Sequence, residues 1–360
     1  MHTVVFLFQQ ITSHDLVYLA AKAVMIIAIF WFGNKIRPRW HHAANCIVAV
    51  LIIRLFLFDN IFSWYGYQRY LSADDVGWRQ KSVIGYEYQK FVKKSEYTKF
   101  LAVGSSQTGA VYGPYASRHG SPKLFSLAGM SPLDLILYRK YIKSFGPDYI
   151  LLYLSEFDLA RNPSLDAAKI APSQGLYLIN LYPLLREVAE HSQSYTALKE
   201  MLVGEFLPEY KYAFIFSGIR DKILGKNQAL AMPIWTEIPD DLSLQYHLQN
   251  MATNTSMEVI DVNNRILTHF LSYCRDESLK VIIVEGQYHP LGYTDKSLAL
   301  HQVVHQNLLN IDNEFNNVTF IPRTEVMNFT EADYKDGYHV KPLPAYQFVE
   351  NLMVYIDSME

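Results

Sequence analysis

The sequence predicts an α/β protein: a parallel sheet with helices on both faces, preceded by a two-helix membrane hairpin. Three observations carry this. Short apolar runs that stop at glycine or a polar turn alternate with stretches of helical spacing. At least one of those runs, Asp148–Leu154, has no polar alternation, as a strand covered on both faces requires. The first sixty residues hold two long, almost uncharged segments.

Leu16–Gly33 carries one charge, Lys22, and Ala43–Phe58 carries one, Arg54. With their semi-apolar flanks both approach the roughly 20 residues of a spanning helix, which sets the hairpin helices at about 15–33 and 43–60. A buried hairpin in a soluble protein is the other reading of the same runs. No basic start precedes the first run and a second run follows, so a signal peptide fits poorly. The connector Asn34–His42 holds Lys35, Arg37 and Arg39, whereas the tail before the first run has no Lys or Arg. The positive-inside rule then makes the connector cytoplasmic and the rest of the chain periplasmic or extracellular. Residues 1–65 are the anchor, 66–96 a linker or amphipathic segment, and 97–360 the outward-facing domain.

Within that domain the expected strands are Lys99–Val103, Lys123–Leu127, Asp148–Leu154, Val281–Val284 and Val318–Ile321. The expected helices are Leu133–Ser144, Met257–Cys274, Ser297–Leu309 and Pro344–Asp357. Between about 162 and 250 this rhythm breaks into helical pieces (Leu184–Lys199, Tyr210–Leu224) and loops too long for an ordinary connection. That stretch reads as a helical insertion.

Composition narrows the function. The chain has 360 residues, 50% hydrophobic and 19% charged, with net charge −3, so it offers no basic stripe for nucleic acid. Two cysteines, Cys46 and Cys274, in very different segments, exclude a disulfide scaffold or a cysteine zinc site.

The chemistry-bearing residues sit at the ends of strands, where ligands bind in parallel α/β sheets. The first strand stops at Gly104-Ser105-Ser106-Gln107-Thr108. A serine becomes a nucleophile when a tight turn exposes it and a base accepts its proton. The pattern is not G-x-S-x-G, so the α/β-hydrolase elbow fits poorly, and the same turn would also serve as a helix N-cap. The candidate base is His339 in Asp336-Gly-Tyr-His339, where Asp336 can fix the imidazole tautomer; taken alone this is also an ordinary surface turn. Gly129 follows the second strand, and Ser155-Glu156-Phe157-Asp158 the third. His301 and His305 are spaced i,i+4, but no glutamate completes H-E-x-x-H, so no metal and no cofactor are expected.

Together, Gly104-x-Ser106, Gly129 and Asp336-x-x-His339, in that order, resemble the SGNH (GDSL-like) hydrolase family over roughly 97–160 and 256–357. The resemblance implies a flavodoxin-like three-layer α/β/α sandwich. It also implies Ser106 as nucleophile, His339 and Asp336 as base and orienting acid, and an oxyanion hole from the amides of Ser106 and Gly129. The third block departs from the family: Phe157 stands where an asparagine normally donates to the oxyanion. Losing such a donor costs about 3 kcal/mol of transition-state stabilisation, and Ser155 is the candidate replacement. Ser105 also stands where an aspartate is common.

The relaxed turn, two spans and outward domain resemble a membrane-anchored subgroup that works in cell-envelope O-acylation. Its members include the teichoic-acid D-alanylation protein and exopolysaccharide acetylation proteins, often beside a membrane-bound O-acyltransferase. That resemblance implies an acyl donor and a glycan acceptor as partners. Gln107, Glu156, Gln287 and His289, all at strand ends, are the further candidate cleft residues. The implied function is a serine-dependent O-acyl, most simply acetyl, transferase or esterase. The alternative is a non-catalytic envelope assembly protein, for which Phe157 argues and against which the intact Ser106, Asp336 and His339 argue.

Overall fold

The computed structural model describes residues 97–206 and 240–359, apart from 128, 169 and 173, together with Val24, Ile27 and Trp31. The two apolar runs of the expected hairpin, its basic connector, the 66–96 linker and the expected Tyr210–Leu224 helix lie outside the described residues, those three positions aside. Among the described residues no helix is long and apolar enough to cross a membrane.

Five strands form one sheet: β1 (Thr98–Gly104), β2 (Lys123–Ser126), β3 (Pro147–Leu154), β4 (Lys280–Glu285) and β5 (Val318–Ile321). Every pairing is parallel, and the order is β2-β1-β3-β4-β5. This is the flavodoxin-like order, in which the chain runs outward to β2 and then returns past β1 to β3. The crevice at the β1/β3 reversal is therefore where a site is expected.

Alternation along the strands divides their side chains between two helical layers. Phe100, Ala102, Leu151, Tyr153, Ile282 and Val284 form one core with α1 (Ser106–His119) and the closing helix α12 (Pro342–Met359), which contributes Phe348, Val349 and Leu352. The opposite layer is led by α9 (Met257–Asp276), which packs on β4 and on α2 (Pro132–Leu137). Its buried face is Val259, Val262, Ile266, Leu267, Phe270, Leu271 and Cys274, the stripe expected from helical spacing. Cys274 is free and fully buried.

The expected helix 133–144 is two: α2 and α3 (Arg139–Ser144), separated at Tyr138. Tyr138 is fully buried, and Arg139, also buried, turns its guanidinium back to the Ile136 carbonyl at 2.9 Å, so both fix the break. Helix α10 (Asp295–Glu314) starts two residues before its expected start because Thr294 and Ser297 cap it reciprocally. Short helix α4 (Glu156–Ala160) follows β3, α8 (Asp240–Asn254) precedes α9, and short α11 (Arg323–Val326) follows β5.

The chain divides into two compact units. The sheet unit comprises Ser95–Ser164 and Ala231–Glu360. The described part of the other unit holds α5 (Leu165–Ala168), α6 (Tyr177–Ser192) and α7 (Tyr195–Phe206). Gln193, in the left-handed region at φ 52°, ends α6 within what reads in the sequence as one helix, Leu184–Lys199.

Candidate active site

The site is built from the turn after β1. Four fully or nearly buried residues, Phe100–Val103, carry the chain to Gly104. A Cβ on Gly104 would overlap Thr108 Oγ1, so the close approach of helix to strand end requires glycine. Ser105 is extended (φ −75°, ψ −173°) and caps α1, whose first residue is Ser106. Ser106 therefore lies in a first helical turn, where amides have no intrahelical acceptor and the helix dipole favours negative charge.

The loop before α12 supplies the partners. Asp336 Oδ1 accepts the backbone N–H groups of Tyr338 (2.8 Å) and His339 (2.9 Å), which holds the carboxylate under the imidazole. Asp336 Oδ2 lies 2.8 Å from His339 Nδ1, and His339 Nε2 lies 2.9 Å from Ser106 Oγ. An imidazole whose Nδ1–H is held by a carboxylate presents a lone pair at Nε2 to the serine hydroxyl. A bridge between Tyr334 and Val340 and the bond from Lys335 N–H to the His339 carbonyl (2.8 Å) close this loop on itself. His289 N–H donates to the Gly337 carbonyl at 3.1 Å and ties the loop to the turn after β4.

Gly129 lies exposed in the turn after β2 at φ +62°, a conformation that disfavours any side chain. Arg161 reaches the same turn. Its Nη2 donates to the Met130 carbonyl at 2.7 Å, and its Nη1 is the nearest atom to where a Gly129 Cβ would stand, at 3.7 Å. The guanidinium also lies 5.1 Å from the Phe157 ring centroid, and Phe157 stacks on Tyr338 at 4.9 Å. Phe157 is thus an apolar wall between Arg161 and the residue preceding His339. Arg161 is the residue that sequence reasoning missed. Nothing in its local sequence marks it; its isolated pairing with Thr255 and the α4 turn bring it there.

The other candidates are buried instead of lining an open cleft. Ser155 is 1% exposed, and both its N–H and its O–H donate to Asp158 Oδ2 (2.9 and 2.8 Å), so its hydroxyl hydrogen is used in capping α4. Burial raises the Asp158 carboxyl pKa, opposed by Arg161 and by the Ser155 hydrogen bonds. Gln107 is buried within α1. Gln287 donates to the Met327 carbonyl (2.8 Å) and accepts from Phe329 N–H (3.0 Å), so its amide clips one loop to another. His289 is buried and accepts Leu291 N–H at Nδ1 (3.3 Å); burial lowers its pKa below the usual histidine value. Glu156 is buried and accepts the Tyr288 hydroxyl at 2.6 Å. Glu285, at the end of β4, lies against His301 and His305 of α10, with one ligand atom of each within 4.8 Å of the others.

No protein-family model matches the chain, and no curated protein matches it. Solved structures do. One, described as a "putative acylhydrolase" from Bacteroides fragilis NCTC 9343, is 10% identical, covers 76% of this chain and 97% of its own, with a TM-score of 0.37. Another, a GDSL-like lipase from Bacteroides thetaiotaomicron VPI-5482, is 9% identical, covers 74% and 90%, with a TM-score of 0.36.

Proposed function

We propose that the chain is a membrane-anchored serine esterase or O-acyltransferase of the SGNH type, acting on a cell-envelope or exported glycan. One observation carries the catalytic part: the continuous chain from Asp336 through His339 to Ser106, with contacts of 2.8 and 2.9 Å. His339 Nε2 takes the hydroxyl proton as Ser106 Oγ forms a bond to an ester carbonyl carbon. The tetrahedral oxyanion rests on the Ser106 amide at the start of α1 and on the turn of Gly129. Arg161, beside Gly129, supplies the N–H donor and positive charge in place of the asparagine amide that Phe157 replaces. Collapse expels the leaving alkoxide, which takes the proton from His339, and leaves an acyl-serine. A glycan hydroxyl or water then gives its proton to His339 and attacks the acyl carbon, and His339 returns that proton to Ser106 Oγ as the acyl–serine bond breaks.

Val24, Ile27 and Trp31, at i, i+3 and i+7 of a helix, are 65%, 64% and 53% exposed, an apolar stripe that supports a lipid-facing anchor. A membrane-bound O-acyltransferase is the proposed source of acyl groups, with the domain outside the cytoplasmic membrane.

The test is turnover of an acetyl ester with and without an oligosaccharide acceptor. Wild type should release the alcohol, and acetate should appear on the glycan when acceptor is present. Asp336→Asn should lose about 10⁴-fold in kcat by leaving His339 in the wrong tautomer. Equal turnover in Asp336→Asn and wild type would refute the proposed roles.

A further inference from the structure

We propose that Glu285, His301 and His305 form a binding site for one divalent transition-metal ion of the zinc type, with Glu156 orienting His301. This proposal is independent of the acyl chemistry. His301 and His305 sit one helical turn apart on α10 and so share a face. Glu285, the last residue of β4, meets them there, and one ligand atom from each lies within 4.8 Å of the others. Glu285 Oε1 is 2.7 Å from His305 Nδ1 and 3.6 Å from His301 Nε2. Zinc–nitrogen and zinc–oxygen bonds of about 2.0–2.2 Å in a tetrahedron put ligand atoms roughly 3.4 Å apart. The His301 contact already has that spacing, and His305 needs only a modest shift outward.

A second observation points to a cation. Glu156 is 2% exposed, and its Oε2 has no hydrogen-bond partner among the described residues; it lies 3.8 Å from His301 Nδ1. His301 is thus held between two buried carboxylates, Glu156 at Nδ1 and Glu285 at Nε2. A neutral imidazole has one N–H. Whichever nitrogen carries it, the other turns a lone pair toward a carboxylate. A metal at Nε2, with Nδ1–H directed to Glu156, would fill that gap on the side away from Arg323, whose backbone N–H donates to Glu285 Oε2 at 3.1 Å. That arrangement is the carboxylate–histidine–metal relay by which outer carboxylates orient ligands. It also explains why a third nitrogen, His305 Nδ1, converges on the same oxygen. The two nitrogens and one oxygen suit zinc, and the part-exposed His301 and His305 side chains (17% and 34%) leave room for a fourth, solvent ligand. Bound there, the ion would pin α10 to the end of β4 and, through Glu156, to the turn carrying Phe157.

The test is metal content of the full-length protein, stripped with chelator and dialysed against zinc. One zinc per chain is expected in wild type. It should be lost in the His301→Ala/His305→Ala double variant, and Glu156→Gln should weaken affinity about 10- to 100-fold. Cobalt in place of zinc should give the strong visible bands of a four-coordinate site. Zinc retention unchanged in the double variant would overturn the proposal. So would folded wild type that holds no zinc and shows no cobalt bands. The cobalt spectrum of wild type decides the matter if the variants fail to fold.

Discussion

Arg161 ties the Gly129 turn to the Phe157 wall through one guanidinium. A side chain 3.7 Å from the Gly129 Cβ position and over the Phe157 ring is well placed to act on a developing oxyanion. Arg161→Ala should therefore lower kcat by about 10²- to 10³-fold, the usual cost of one oxyanion donor, with little change in KM. Arg161→Lys should recover part of the loss, because charge returns without the fork. A change confined to KM would assign Arg161 to substrate binding. Ser106, Asp336 and His339 were legible because their types and order are chemically distinctive. Arg161 was not, because a lone arginine in a turn looks like any surface charge until the fold sets it beside Gly129. Glu285 was hidden for the same reason: its partners His301 and His305 lie on another element.

At the scale of elements, the turn after β4 supports the triad loop through the His289 N–H to Gly337 bond. The His289 ring accepts Leu291 N–H only while Nδ1 is unprotonated. Burial lowers its folded pKa, so the unfolded chain binds the proton more readily. Its contribution is complete above the unfolded pKa of about 6.5 and is lost as pH falls through the lower folded value. Tm of wild type should thus fall more steeply than that of His289→Gln between about pH 7 and pH 5. Parallel slopes would remove His289 from the linkage. Strands were the most legible elements, since apolar runs bounded by glycine have few other uses. Helix ends were less so: the α2/α3 break depends on burial of Tyr138 and Arg139, and the start of α10 on a reciprocal cap, neither of which periodicity encodes.

At the scale of the molecule, the β2-β1-β3-β4-β5 order places the β1 and β3 turns at the reversal of the sheet, which is why residues far apart in sequence meet at Ser106. The α/β alternation was readable from the chain, because each strand and helix carries its own apolar period. The proposed anchor predicts that full-length protein stays with the membrane through a carbonate wash and leaves it only with detergent; release by carbonate would contradict it. The central claim, an activated Ser106, is tested most directly by intact-protein mass after exposure to a small fluorophosphonate. A single adduct is expected on wild type, none on Ser106→Ala and slowed labelling on His339→Ala. A folded wild type that takes no adduct, or a Ser106→Ala variant that still does, would contradict it.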